Sequence, residues 1–443
     1  MSPNEIGILF VVVALILLLS GMPVAFALGS VSVAFMLAFM PSANIADLAE
    51  TLYQGLDNFT LLAIPLFILM GDAVGKTGAA EDLYESAYRW LYRLPGGLGI
   101  ANVVGCAIFA AMCGSSTATA AAIGAMGIPE MRKRGYAGGL AGGLVAAGGT
   151  LGILIPPSIT FILYGIVVEQ SIGQLFIAGV VPGILLALLF ALWVGFKSHR
   201  TNRRALRRDD GAAPVRDTFT LRERVRALPR LLPFIVIITI VMVTLYGGFA
   251  TPSEVAGVGA LATIVVVALV YRCYRWTDVR PILVGTARES CMLMMIIAMA
   301  FLFTYVMSYL HITQEATQWL VGLPLSRWEY LFWIDVLVLL LGFFLPPVAI
   351  ILMITPVIMP GLLAHGFDPI WFGVNMTIVM ETGLIHPPVG LNLFVIQGIA
   401  PDISLRELVL GVLPFIAIIL AFVVLLSAFP QIALWLPHAF FHH

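Results

Sequence analysis

Two stretches hold residues whose types and spacing could handle ions. The first runs Gly114-Ser115-Ser116-Thr117-Ala118-Thr119 and continues, beyond a small-residue run, with Gly149-Thr150-Leu151-Gly152-Ile153-Leu154-Ile155-Pro156-Pro157-Ser158. The second holds Leu345-Pro346-Pro347-Val348 and, later, Glu381-Thr382-Gly383-Leu384-Ile385-His386-Pro387-Pro388. Paired prolines lack amide donors and stop a helix by ring clash, so carbonyls are stranded at Gly152–Ile155 and Gly383–His386. Stranded carbonyls at a helix C-terminal end suit a small hard cation, and the helix dipole helps. The hydroxyls of Ser115, Ser116, Thr117 and Thr119, with the amides of a helix that starts there, suit an anion. Together they predict a coupling device. A cation neutralises a place of low dielectric into which an anionic solute can then move.

The two stretches are copies. At one fixed offset of 231 positions, Ala118 falls on Ala349, Ile123 on Ile354, Pro129 on Pro360, Gly135 on Gly366, Gly152 on Gly383 and the proline pairs on each other. With one inserted residue, Gly179 falls on Gly411 and Pro182 on Pro414. Gly/Pro breaks at matching places in two halves point to the binding site of a transporter built from repeats. The alternative, that these are packing kinks and the hydroxyls only back-bond within their helices, suits one copy better than two in register.

Composition sets the surroundings. Residues are 60% hydrophobic and 11% charged, with a mean hydropathy of +1.03. A soluble chain carries about 25% charged residues, so this is a polytopic helical membrane protein. The net charge of −1 gives no case for nucleic-acid binding. Cys106, Cys113, Cys273 and Cys291 have no paired spacing and read as small apolar residues. Met1–Glu5 has no basic leader region, and the first apolar run reads as an anchor. No P-loop, GxSxG, HExxH or CxxC is present, so an ion gradient is the expected energy source and no enzyme activity is expected.

Apolar spans are expected at 5–22, 23–40, 59–75, 137–168 (broken), 174–196, 231–250, 254–271, 290–310, 369–400 (broken) and 408–428. Segments 98–130 and 328–363 fold back at Gly114 and at Pro346-Pro347, and each reads as a re-entrant hairpin. The chain divides into a first repeat over 1–196 (scaffold spans in 1–58, hairpin and broken helix in 98–168), a basic linker over 197–230, and a second repeat over 231–443 (scaffold spans 231–271, hairpin and broken helix 328–400). The linker, with Lys197, Arg200, Arg203 and eight more arginines, is placed in the cytoplasm. Arg272, Arg275 and Arg280 mark a second inside loop, and Arg132-Lys133-Arg134 a third. The repeat partners of that third cluster, Leu363, Ala364 and His365, carry no strong base, so the copies face opposite sides. Ten spans and two hairpins follow, with both termini outside, the acidic loop Asp47–Asp57 outside, and an amphipathic segment 76–97 inside.

Charges at depth are few, and each is a candidate for function. Glu381 stands where the first copy has Thr150, His386 where it has Ile155, and Asn392 where it has Phe161. Glu381 either stabilises the site or caps the second hairpin, and His386 is expected to offer its carbonyl. Asp335 lies on the inbound arm of the second hairpin. Asp72 reads as a cytoplasmic interface residue, and Arg288-Glu289 as a local pair at a helix start.

The segments CGSSTATAAAIGAMGIPEMRKRGY (113–136), GTLGILIPPSITFILYG (149–165), ITPVIMP (354–360) and ETGLIHPPVGLNLFVI (381–396) resemble the large membrane subunit of tripartite ATP-independent periplasmic (TRAP) transporters, and the resemblance covers essentially the whole chain. It implies an all-α, inverted-repeat, elevator-type sodium symporter in a bacterial inner membrane. Hairpins and broken helices would move against a scaffold. The family works with a small membrane subunit and a periplasmic binding protein that delivers an organic anion, such as a C4-dicarboxylate, sialic acid or another carboxylate. Carried over, one sodium site would use Ser115, Gly152, Ile155 and Pro157, and the other Pro346, Gly383, His386 and Pro388. Glu381 and Asp335 would support them, and Ser116, Thr117, Thr160 and Asn392 would face the substrate. Many relatives have an acidic residue at the second hairpin tip; Leu345-Pro346-Pro347 departs from that. A stand-alone symporter of the same architecture, and a membrane-embedded enzyme or scaffold, are the other readings.

Overall fold

A computed structural model describes residues 2–41, 47–207, 218–387 and 389–441. Among them lie twenty α-helices and no strands. Four start at a reciprocal capping box, a Ser or Thr cap and a Glu three residues on that bond each other's backbone amides. Ser2/Glu5 opens α1 (Pro3–Leu19), Thr220/Glu223 α11 (Leu221–Tyr246), Thr251/Glu254 α12 (Pro252–Leu269) and Ser326/Glu329 α15 (Arg327–Gly342). In each, the hydroxyl and the carboxylate satisfy amides that a helix start leaves open.

Around α1, α11 and α12 stand α2 (Val24–Phe39), α3 (Leu48–Leu56), α4 (Ala63–Gly75) and the 34-residue α13 (Trp276–Tyr309). The axis turns by 63° between α3 and the run Phe59–Gly75. Next in the first half come α5 (Ala79–Leu91), α6 (Gly97–Cys113), α7 (Ser116–Lys133), α8 (Gly138–Leu154), α9 (Ile159–Val168) and α10 (Ile172–Arg207). The second half continues with α14 (Ile312–Gly322), α15, α16 (Pro347–Ala364), α17 (Pro369–Ile385), α18 (Leu391–Ile399), α19 (Leu405–Ala428) and α20 (Gln431–Phe441).

Helix ends repeat at the offset seen in the sequence. Both α8 and α17 have 17 residues, both α7 and α16 have 18, and the starts of each pair are 231 positions apart. Packing pairs exchange in the same way: α8 lies on α19 and α17 on α10, α9 on α16 and α18 on α7, α12 on α4 and α2 on α13. The ends of α7 and α16 close alike. Tyr136 N–H donates to Met131 O and Phe367 N–H to Leu362 O, both at 3.0 Å, around Gly135 and Gly366 with φ of +82° and +74°. That turn needs a left-handed residue, which is why glycine holds both positions.

At the centre α8 and α17 pack on each other, and both are buried on every face over 140–154 and 370–385. A helix that is apolar all round has no other stable place. Close approach is by backbone. A Cβ on Gly411 of α19 would lie 1.7 Å from Gly139 O, and one on Gly143 2.5 Å from the Gly411 carbonyl carbon. Larger contacts lock the ends. Tyr164 OH donates to Pro369 O (2.7 Å) and Trp371 Nε1–H to Leu426 O (3.2 Å), so α9, α17 and α19 hold one another.

Several expectations need correction. Among the described residues six helices, 172–199, 221–246, 252–269, 276–309, 347–364 and 405–428, are long and apolar enough to cross a membrane, or up to eight if each bent pair counts as one. The expected spans at the N-terminus are α1 and α2, of 17 and 16 residues. The hairpin arms have 16 to 18 residues, and of the four α16 alone is both long and apolar enough to span. Arg280 lies inside α13, not in a loop, and Arg288-Glu289 lie in its middle, not at a start. The run 47–57 contains α3, and α14 and α20 are additional helices.

The basic linker is largely helical. α10 continues to Arg207 and α11 starts at Leu221, while 208–217, with Arg208 and Arg216, lies outside the described residues. Its end is bound to α5. Arg230 donates to Asp82 (3.0 Å) and Glu85 (2.9 Å), Ser86 Oγ to Ala227 O (3.1 Å), and the Arg224 guanidinium lies 4.7 Å from the Trp90 ring centre.

Candidate functional site

The breaks in α8–α9 and α17–α18 follow from proline chemistry. In a continuous helix, residues 156 and 387 would donate to the carbonyls of Gly152 and Gly383, four positions back. Proline has nothing to donate. At the first break Ile155 is extended and the axis turns by 40° into α9. Ser158 Oγ accepts from Phe161 N–H (3.3 Å) and donates to Ile153 O (2.5 Å), so that carbonyl is satisfied and the Gly152 carbonyl is left open. At the second break the Gly383 carbonyl receives only a long hydrogen bond, 3.4 Å, from His386 N–H.

The tip of the first hairpin is seated on the first break. Gly114 has φ +60°, and a Cβ there would lie 2.7 Å from Pro157 O; one on Gly152 would lie 2.5 Å from Ser115 O and 2.8 Å from Thr119 Oγ1. Three expected members of the first cation site, Ser115, Gly152 and Pro157, are thus brought together. Ser115 O already accepts from Thr119 N–H (3.1 Å) and Thr119 Oγ1 (2.8 Å). The side chain of Ile155 turns the other way, towards Gly183 of α10.

The second copy is assembled differently. The backbone touching Gly383 is that of Gly342 at the end of α15, 2.6 Å from a Cβ built on Gly383. Pro346, expected there, instead caps α16 and accepts from Ala349 N–H (3.0 Å) and Ile350 N–H (3.3 Å). The His386 ring stacks on Phe343 with centroids 4.5 Å apart, and its Nδ1 donates to Pro387 O. Pro388 lies outside the described residues.

Both tips face one cavity of about 550 Å³. Gly114, Ser115, Ser116 and Thr117 line it from the first tip, and Phe344, Pro346, Pro347 and Val348 from the second. Five helix N-termini meet there, those of α2 (Pro23, Val24), α7, α9 (Ile159, Thr160), α16 and α18 (Leu391). Helix N-termini offer free amides and a positive dipole end, which favour an anion. Among the described lining residues none is Lys, Arg or His. A larger cavity, about 660 Å³, between α6 and α10 is lined by apolar side chains alone and offers an anion no donor.

Of the expected substrate-facing residues, Ser116, Thr117 and Thr160 line the cavity and Asn392 does not. Asn392 is buried behind it. Its Nδ2 donates to Ser116 Oγ (2.9 Å) and Ala146 O (3.0 Å), so it positions Ser116. Its repeat partner Phe161 has no such donor. Glu381 is fully buried off the cavity, and neither carboxylate oxygen has a hydrogen-bond partner among the described residues. Asp335 accepts from Asn375 Nδ2 (2.8 Å) on the far side of α17, also away from the cavity. Asp72 accepts from Lys76 Nζ (2.8 Å) and Thr286 Oγ1 (3.3 Å), and so joins α4 to α13.

The opposite wall escaped the sequence reading. It comes from the start of α2 (Pro23–Phe26) and from Glu289, Met292, Leu293, Met295 and Ile296 of α13. The signal was present: positions 289, 292, 293 and 296 share one helix face, with a carboxylate at its end.

The model of the tripartite ATP-independent periplasmic transporter family, DctM component, matches residues 11–432. The C4-dicarboxylate TRAP transporter large permease protein DctM of Rhodobacter capsulatus is 36% identical over 436 residues, 95% of this chain and 96% of that one. The sialic acid TRAP transporter large permease protein SiaM of Vibrio cholerae is 31% identical over 428 residues, 96% and 95% of the two chains. Among solved structures, the YdaH transporter of Alcanivorax borkumensis shares the fold with a TM-score of 0.63 at 15% identity, over 96% of this chain and 98% of that one.

Proposed function

The chain belongs to the DctM family of TRAP transporters and is a multi-pass membrane transport subunit, not an enzyme, and from that premise we propose that it is the sodium-coupled permease of a system importing an organic acid anion across a bacterial inner membrane. The observation that carries this reading is the cavity between the two tips. Five helix N-termini supply positive potential to it, the proline-freed carbonyl of Gly152 stands behind the first tip, and that of Gly383 lies beside Gly342 at the end of α15. Cation sites at those carbonyls would offset the charge of an anion leaving water.

In this reading α6–α9 and α15–α18 move together as the elevator. α1, α2, α4 and α11–α13 form the scaffold, and the ends of the chain face the periplasm. Movement of the first set relative to the second carries the cavity from one side to the other, because its walls come from both sets. A small membrane subunit and a periplasmic binding protein complete the system, as the tripartite family name implies. The substrates named for the two relatives, a C4-dicarboxylate and sialic acid, share a carboxylate, and a carboxylate is the group that Ser116, Thr117 and the α7 amides would receive.

Thermal unfolding of the purified chain in detergent, titrated with NaCl against KCl and choline chloride at constant ionic strength, tests the coupling ion. A ligand that binds only the folded state stabilises it by RT ln(1 + [L]/Kd). Stabilisation by sodium alone is expected. Equal curves in the three salts would remove sodium from the proposal.

A further inference from the structure

We infer that Glu289 sets the class of solute, an organic anion with one carboxylate and with hydrogen-bond donors at its other end, in preference to a dicarboxylate. The inference rests on the reading that the cavity between the tips holds the transported anion. Among the described lining residues Glu289 alone carries a formal charge. The cationic neighbour that caps α4, Lys76, is engaged elsewhere, by Asp72 Oδ2 at 2.8 Å and Pro281 O at 3.0 Å. Arg288, the next residue, points about 100° away around the helix.

The polar lining is one-sided. Hydroxyls and amide donors come from the start of α7 and from Thr160. Glu289 comes from α13, on the wall where its companions are Met292, Leu293 and Ile296. A carboxylate at the α7 end therefore leaves the rest of the solute to meet Glu289. Hydroxyls or an ammonium would donate to it, whereas a second carboxylate would face a like charge where little water can screen it. The charge count agrees for a hydroxylated acid: two sodium ions, Glu289 and a monoanion sum to zero, whereas a dianion leaves one negative charge uncompensated and an amino-acid zwitterion one positive.

The experiment is thermal unfolding and ligand titration of the purified full chain at saturating NaCl, with three probes: D-gluconate (hydroxyls), 4-aminobutanoate (ammonium) and succinate (second carboxylate). Gluconate or 4-aminobutanoate is expected to bind at least about tenfold more tightly than succinate, and the better of the two identifies the donor. Glu289→Gln, which keeps the shape, is expected to shift the preference towards succinate by about tenfold. Succinate equal to or better than both in the wild-type chain overturns the inference, and that comparison needs no variant to fold. An unchanged ratio in Glu289→Gln also overturns it and leaves the anion reading standing. If none of the three stabilises either protein in sodium, the anion reading fails and the inference with it.

Discussion

Replacement of Gly152 by alanine is the sharpest perturbation of the first tip. The new methyl carbon would sit 2.5 Å from Ser115 O, 2.7 Å from Ser115 C and 2.8 Å from Thr119 Oγ1. Two of these atoms are backbone, so no side-chain rotation relieves the clash. The tip must retreat from α8 by roughly 0.5–1 Å, at a cost of about 1–3 kcal/mol. That retreat separates the Ser115 and Gly152 carbonyls, which the cation would have to reach together. For one site at a sodium concentration a hundred times Kd, binding stabilises the wild-type chain by about 2.7 kcal/mol. A tenfold loss of affinity reduces the gain to about 1.4 kcal/mol. The assay is thermal unfolding in sodium and in choline for wild type, Gly152→Ala and Gly398→Ala. The last is a control with nothing within 4 Å of the added methyl, and it should leave the sodium gain intact. If Gly152→Ala melts lower in choline yet keeps the full sodium gain, the clash is real and the carbonyl site is wrong.

Three further outcomes follow from particular contacts. Asn392→Leu removes donors from Ser116 Oγ and Ala146 O; it should cost about 1–3 kcal/mol of stability and weaken anion binding while sparing the sodium gain, read by the same melts with and without anion. Gly411→Ala places a carbon 1.7 Å from Gly139 O and should cost about 3 kcal/mol or more, seen as loss of the monodisperse peak in size-exclusion chromatography. Arg132, by donating to Asp402, holds that exposed carboxyl below the usual carboxylate range. A depressed folded value stabilises above the unfolded value of about 3.9 and is lost as pH falls through the folded one. Any melting offset between wild type and Asp402→Asn should therefore be constant from pH 5 to 8 and vanish in more acidic buffer.

Legibility in the sequence followed how local the cause was. Proline pairs, capping boxes and the Gly135/Gly366 turns act within four or five residues, and the breaks and helix ends they imply are where the structure has them. The helical course of 197–207 and 221–230 was hidden because arginine-rich composition reads as a solvated segment. α5 supplies the acids and rings that hold its end, and that pairing is 145 residues distant at Arg230–Glu85. Glu289 was missed for a similar reason. Its stripe lies on one helix, yet only packing against the tips 173 residues earlier, at Ser116, and 57 later, at Pro346, turns that stripe into a wall. Asn392 is legible as an unusual polar residue, but its period places it on the inner face without saying whether it stands in front of or behind Ser116.

The two copies bring unequal chemistry to one cavity. At the first tip Ser115 caps α7 through Ala118 N–H (3.4 Å), which leaves the amides of Ser116 and Thr117 and their hydroxyls to an incoming anion. At the second tip Pro347 has no amide, and Ala349 and Ile350 donate back to Pro346 O, so Val348 N–H remains as the open donor of that turn. Phe344, Pro346, Pro347 and Val348 there present apolar surface. Two breaks at matching positions thus come with two unequal mouths. On the proposed reading the carboxylate of a solute would sit at the α7 mouth, under Ser116 as fixed by Asn392, with the rest of it between the apolar α16 mouth and Glu289. Exchanging the tips tests the asymmetry: Ser116→Pro, which removes one α7 amide at the helix position where proline is tolerated together with the hydroxyl held by Asn392, should weaken anion binding by at least about tenfold, the amount set by one charge-assisted hydrogen bond. Pro347→Ser at the other mouth should leave that affinity within about twofold. Equal effects at both mouths, read by anion titration at fixed sodium, would mean that the anion lies across the two tips rather than at the first.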